Sequence, residues 1–277
     1  FEVLELKPFS EEGELKYLEN NIKLKQISSS TIKFFRSKSS GNPKYINAII
    51  DMLKNEGVIK KEGENFYVDE DRLFKTQIPE SLEEIYLKKV DSLLKEEREI
   101  VQYASVLGYS VSLFLLSHTT SKDREYLLKI LNDLVGKEIF VKDSWGERKY
   151  FKFKDGFLRD AVYESAPFSL KKEIHLKCAQ FLEKESSESG KVWQIIANHF
   201  KGAGDKEKAN FYNKKCAYDA FSRYDNVTAM NYFEEICSEG IKKENIDCAF
   251  KLIKIYSNLG KREDEEKLIK NIESEVL

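Results

Sequence analysis

Proline is scarce in this sequence, at four residues in 277, and glycine occurs only thirteen times. With so few obligatory turns and abundant Leu, Lys, Glu and Ile, the composition favours helices. Cysteine is as rare. Cys178, Cys216, Cys237 and Cys248 are scattered with no C-x-x-C pair and no histidine at metal-ligand spacing, so they read as reduced thiols of a cytosolic protein and not as a zinc site. No apolar run approaches the roughly 20 residues that a membrane span requires, and the N-terminus lacks the basic-then-apolar layout of a signal peptide. A net charge is missing too: 46 Lys and Arg nearly cancel 48 Asp and Glu. The whole-molecule field therefore offers no strong attraction to nucleic acid or membrane, and any anion site must be local. The phosphate-loop pattern G-x-x-x-x-G-K-[ST] is absent, so this chain is not expected to hydrolyse ATP alone. It opens at Phe1 with no initiator Met and is expected to be a fragment whose upstream part has been removed.

What is present suffices for real cores, since 41% of the residues are hydrophobic in a chain long enough for two or three packed units. Residues 1–6 alternate apolar and acidic side chains like a short strand, and Ser10 is expected to cap a helix after Pro8. Apolar stripes at Leu15, Leu18, Ile22 and Leu24, at Ile32, Phe34 and Phe35, and at Tyr45, Ile46, Ile49, Ile50 and Leu53 after Pro43 need one another for burial. Gly57 ends the last of these helices, and residues 58–59 with 66–68 read as a small hairpin. Ile78-Pro79 opens a second unit. Helices near 96–107, 111–117 and 122–136 lead into strands at 139–141 and 150–153 around a Trp145-Gly146 turn, which is the element order of a winged helix. From Phe157 onward only helices are predicted, at about 157–165, 168–186, 190–202, 205–223, 225–238, 243–259 and 261–276. Their small residues, Ala179, Ala197, Ala209, Ala217, Ala220, Ala229 and Ala249, interleave with Tyr212, Tyr224, Tyr232 and Phe233 in the manner of tetratricopeptide-like helix pairs.

Several of these patterns, taken in order, resemble the C-terminal region of the signal-transduction ATPases with numerous domains, the STAND class of AAA-type ATPases, as found fused to class III adenylyl cyclases and bacterial regulators. Leu6-Lys7-Pro8-Phe9-Ser10 is similar to the family's Leu-x-Pro-Leu-Ser motif, and Gly41-Asn42-Pro43 to its Gly-Asn-Pro helix start. Ile78-Pro79-Glu80-Ser81-Leu82 resembles the entry into the family's winged helix, and Val90-Asp91-Ser92-Leu93 its continuation. The segment from Tyr150 to Tyr163 resembles the Phe-x-His-x-Leu-Leu-Arg-x-x-x-Tyr element, while His175 with Ala179, and Ala197-Asn198-His199-Phe200 before Ala203-Gly204-Asp205, look like the helices that follow it.

The resemblance implies a mainly α fold in three parts: a helical lid subdomain with a small β-hairpin over 1–76, a winged-helix domain over 77–166, and a tetratricopeptide-like α-solenoid over 167–277. It also implies an upstream nucleotide-binding core in cis, with ATP or ADP bound by the full-length protein and no cofactor held by this chain. Asn42 and Pro43 are then candidate nucleotide contacts, Pro43 lying against an adenine; the plainer reading is a loop Gly followed by an N-terminal helix Pro. At Asp155 the family carries a histidine that faces the phosphates. A carboxylate there repels phosphate, which puts a conventional ADP-locked state in doubt. Asp155 is either that switch position or a helix N-cap.

Other constellations read as structural. His118, His175 and His199 lie on separate helices without a ligand motif and are expected to pack or cap. Gly108-Tyr109-Ser110-Val111-Ser112 has Ser112 where a nucleophile elbow needs Gly, which argues against hydrolase chemistry. Glu96-Glu97 and Glu263-Asp264-Glu265-Glu266 are expected on solvated helix faces. Lys33, Arg36, Lys38 and Lys44 form a basic stretch that leaves nucleic-acid contact open. The expected role is a non-catalytic, cytoplasmic regulatory region that couples nucleotide state to an effector and binds a protein partner through the helical array. The rivals are a winged-helix DNA-binding regulator and a free-standing helical scaffold.

Overall fold

A computed structural model describes residues 7–20, 22–25, 27–145, 148–185, 190–238 and 240–276. The strand expected at 1–6 and Gly146 of the expected turn lie outside these residues. The described chain is mainly α, as expected, with two small three-stranded sheets. It divides into two compact units, Phe1–Val101 with Phe153–Ser165, and Gln102–Lys152 with Ala166–Leu277.

The first unit begins with α1 (Glu11–Asn20), β1 (Leu24–Lys25), α2 (Ser29–Ser39) and α3 (Pro43–Asn55). Ser10 caps α1 by accepting the Gly13 N–H at 3.1 Å, and Ser28 caps α2 by accepting that of Thr31 at 3.1 Å. Next come β2 (Ile59–Glu62), β3 (Asn65–Val68), α4 (Glu70–Leu73), α5 (Leu82–Asp91) and α6 (Lys95–Leu107), whose residues from Gln102 on belong to the second unit. The sheet order is β1-β3-β2, with β1 parallel to β3 in the register Leu24 to Phe66 and β2 antiparallel to β3. Leu24 therefore leaves the helical stripe expected for it: α1 stops at Asn20, and Leu24 is buried through strand pairing instead. Leu18, Leu24, Phe35, Ile46, Ile49, Ile50 and Leu53 share one core, each under 2% exposed. Burial on that scale stabilises by about 1.5–3 kcal/mol per side chain.

In the second unit follow β4 (Ser110–Ser112), α7 (Leu113–Thr120), α8 (Arg124–Gly136), β5 (Phe140–Trp145) and β6 (Arg148–Phe153), with the sheet order β4-β6-β5. Strand β4 pairs antiparallel with β6, Val111 opposite Phe151. Residues 111–112 are thus strand where helix was expected. The Ser112 hydroxyl explains the boundary, since it accepts the Leu115 N–H at 3.0 Å and so caps α7. The chain then contributes α9 (Gly156–Ser165) to the first unit.

Six helices complete the second unit: α10 (Phe168–Glu185), α11 (Gly190–Ala203), α12 (Lys206–Ser222), α13 (Asn226–Cys237), α14 (Ile246–Leu259) and α15 (Arg262–Val276). Each packs principally on the next in sequence, the nearest-neighbour pattern of a solenoid. Asp205 and Asp225 start α12 and α13 as side-chain caps, and Gly260 ends α14 in the left-handed region. All seven alanines singled out in the sequence are buried, at no more than 4% exposure, where small side chains let helices approach closely. Among the described residues no helix is long and apolar enough to cross a membrane.

Candidate functional site

The residues singled out near 42 and 155 meet within the first unit through a side chain that neither motif contains. Asn42 is the N-cap of α3; its Oδ1 accepts the backbone N–H groups of Lys44 at 2.9 Å and Tyr45 at 3.3 Å. Pro43 is the first residue of the helix, where its fixed φ is preorganised and its missing N–H costs nothing. Gly41 is required by close approach as well as by its φ of +76°: a Cβ there would lie 2.6 Å from the Phe9 carbonyl oxygen.

Lys44, one residue on, reaches Asp155. Its Nζ lies 2.8 Å from Asp155 Oδ1 and 3.8 Å from the centre of the Phe157 ring. The same carboxylate accepts the Phe157 N–H at 2.8 Å, which makes Asp155 the cap of α9, and accepts the Tyr86 hydroxyl of α5 on Oδ2 at 2.7 Å. Burial works to raise the Asp155 carboxyl, but bonds from Lys44, Tyr86 and the Phe157 N–H, with the Lys44 charge, outweigh it and hold the group below its ordinary value. Tyr86 moves the other way: burial, its bond to Asp155 and that negative charge all push its phenol up. Beside this clasp lies a cavity of about 170 Å³ lined by Leu82, Glu83, Tyr86, Phe157, Asp160, Ala161 and Glu164.

The donor set does not fit a phosphate. Asn42 already takes the free N–H groups at the start of α3, Lys44 is committed to Asp155, and the adjoining cavity presents three carboxylates. What the arrangement does is tie the first turns of α3 and α9 to α5 through one carboxylate. Sequence reasoning placed Asn42, Pro43 and Asp155 but missed Tyr86 and the role of Lys44. One signal was available: a lysine in the first turn of a helix opposes the helix dipole and calls for a nearby acid.

The other candidates sort as follows. His175 and His199 come together between α10 and α11, both buried, with Nδ1 atoms 2.8 Å apart, so that one ring donates and the other accepts. Gly202 packs directly against His175; a Cβ there would lie 2.6 Å from the ring. His118 packs against Phe181 with the ring centres 4.1 Å apart and the planes tilted by 31°. No group of three or more potential metal ligands exists among the described residues. The four cysteines are free, and burial pushes the Cys178 thiol up to about 12. Glu97 departs from the solvated face expected for it. It is 4% exposed, and its Oε2 accepts the Leu94 N–H at 2.9 Å, closing the start of α6. Of the basic stretch, Arg36 donates to the Phe9 carbonyl at 3.0 Å and lies 3.6 Å from Glu14, while Lys44 holds Asp155.

A second surface feature lies on the helical array, where α11 and α12 form a groove of about 540 Å³ lined by Trp193, Phe211, Lys214, Lys215, Tyr218, Asp219 and Ser222.

No protein-family model and no curated protein matches the sequence. Among solved structures, the chain is similar to a Signal Transduction ATPase with Numerous Domains carrying a tetratricopeptide repeat sensor, from Pyrococcus horikoshii, at 14% identity and a TM-score of 0.40 over 98% of this chain. The chain spans 42% of the length of that structure.

Proposed function

We propose that this chain is a non-catalytic regulatory and protein-interaction region of a multidomain signal-transduction ATPase, in which lid helices and a winged helix relay the state of an upstream nucleotide-binding core and the helical array binds a protein partner. The observation that carries the reading is the array from α10 to α15. Its helices stack on sequence neighbours over small buried residues, the nearest-neighbour architecture by which helical arrays present extended binding surfaces, and Phe211, Val227 and Phe250 are each more than half exposed. Affinity would come from grooves, with no titrating group required. Nucleotide would be held by the upstream core, and a cytoplasmic setting follows from that role.

The DNA-binding alternative gains no support from α8, the helix that a winged helix would insert into a groove. Its exposed charges, Arg124, Glu125, Lys129 and Asp133, balance. Reading some three hundred codons upstream of Phe1 tests the proposal. A phosphate loop followed by an Asp-bearing strand is the expected result, and a start codon immediately before Phe1 would overturn the reading.

A further inference from the structure

We infer that residues 7–10 form a strap that closes on the turn between α2 and α3, with the buried Glu14 carboxylate as its latch: the neutral acid leaves the strap shut and the charged one opens it. The device lies within the first unit and does not depend on what the helical array binds. Two bonds to Phe9 hold the strap. Its N–H donates to the Gly41 carbonyl at 2.9 Å, and its carbonyl accepts Arg36 Nη1 of α2 at 3.0 Å. The Phe9 ring adds a contact with Tyr17, centre to centre 5.2 Å, while Lys7, Pro8 and Ser10 are exposed. Little apolar burial therefore supports the two bonds.

Glu14 of α1 reaches both holding points. Its Oε1 accepts the Ser39 hydroxyl at 3.4 Å, and Ser39 Oγ in turn accepts the Gly41 N–H at 3.2 Å. Its Oε2 lies 3.6 Å from Arg36 Nη1 and has no hydrogen bond, although the side chain is fully buried. Arg36 Nη1 thus stands between two acceptors, the Phe9 carbonyl that it bonds and the Glu14 oxygen that it does not. A hydrogen bond to an ionised acceptor is roughly twice as strong as one to a neutral acceptor, and a buried charge without a bond is costly. Charged Glu14 therefore draws Arg36 away from Phe9, and the strap loses one of its two bonds. Neutral Glu14 competes weakly and leaves Arg36 in place.

The groups acting on Glu14 give the same sign. Burial, with the charge of Glu11, raises its carboxyl above the ordinary 4.5 and outweighs Arg36 and the Ser39 hydroxyl, which lower it. Closure is then favoured below the ordinary value and is lost as pH rises through the higher closed-state value. Opening releases the Gly41 carbonyl beside Asn42, the cap of α3, so a change of charge at Glu14 is felt at the start of the helix that carries Lys44.

The test is amide hydrogen exchange, read by two-dimensional NMR on the full 277-residue chain between pH 4 and 8 and corrected for the intrinsic rate at each pH. The reporter is the Phe9 N–H; the reference is the Val58 N–H, bonded to the Leu53 carbonyl in the same unit. In the wild type, protection of Phe9 should fall as pH rises. In Glu14→Gln it should stay high at every pH, about tenfold above the wild type at pH 7, the scale of a charged against a neutral bond. Arg36→Met should leave Phe9 weakly protected throughout; the pH series on the wild type stands even if that variant misfolds. Protection of Phe9 that ignores pH and matches Glu14→Gln would overturn the inference. So would lower protection in Glu14→Gln than in the wild type at pH 7, since charged Glu14 would then hold the strap shut. Exchange of Phe9 at the rate of Val58 under all conditions would also overturn it, because the strap would then open only when the whole unit unfolds.

Discussion

Replacing Asp155 tests whether one carboxylate ties α3, α5 and α9 together. Asp155→Asn preserves shape and an acceptor for the Phe157 N–H but removes the charge that Lys44 meets at 2.8 Å and Tyr86 at 2.7 Å. A hydrogen bond to a charged group contributes about 1.5–3 kcal/mol and a neutral one about 0.5–1.5. Because the Lys44 side chain is 38% exposed and that of Asp155 24%, the Lys44 contribution belongs at the low end, near 1 kcal/mol or less. The expected loss is then about 1–2 kcal/mol for Asp155→Asn. For Asp155→Ala it is about 3 kcal/mol, because the cap is lost and the half-buried Tyr86 hydroxyl keeps no acceptor. Urea unfolding followed by circular dichroism, with Lys44→Met and the double variant completing a cycle, measures the pair directly. The sign with pH follows from the depressed carboxyl. Its stabilisation is present above its ordinary value of 3.8 and is lost as pH falls through the lower folded value. Asp155→Asn should therefore differ from the wild type at pH 7 and converge on it at strongly acid pH. An Asp155→Asn chain as stable as the wild type at pH 7, with no coupling to Lys44→Met, would refute the clasp.

Gly202→Ala should destabilise by about 1 kcal/mol net, since overpacking against the buried His175 ring outweighs the helix-propensity gain of about 1 kcal/mol. In a His175→Ala background the same change should stabilise, and thermal unfolding of the four chains reads that reversal of sign. Glu14 is buried with Oε2 unbonded; burial raises its carboxyl above the ordinary 4.5, against Arg36 and Ser39, which lower it. A raised acid contributes stability below its unfolded value and loses it as pH rises through the folded one. Glu14→Gln should thus be the more stable chain at pH 7, with an advantage that shrinks toward pH 4 in pH-stepped urea unfolding; an advantage that grows on acidification would be the wrong sign.

The helical second half was legible in the sequence because its punctuation is local. Asp205, Asp225 and Gly260 stand where caps must stand, and the expected helices at 205–223, 225–238 and 261–276 meet the observed α12, α13 and α15 to within a residue or so. Strands β1 and β4 were not legible, because segments of two and three residues are too short to show a period and are fixed by partners about forty residues away, Phe66 and Phe151. The site divides the same way. Asn42 and Pro43 are legible as a helix start, since cap chemistry is written in adjacent residues. Tyr86 lies 69 positions from Asp155 and His175 lies 24 from His199, and nothing local distinguishes either pair from solvated polar residues until the helices pack.

Lys44 sits between these cases. Placed in the first turn of α3, it opposes a dipole worth about 0.3–1 kcal/mol, and Asp155 removes that conflict while capping the opposing helix. A residue that breaks a local rule thus marked where the long-range contact had to be.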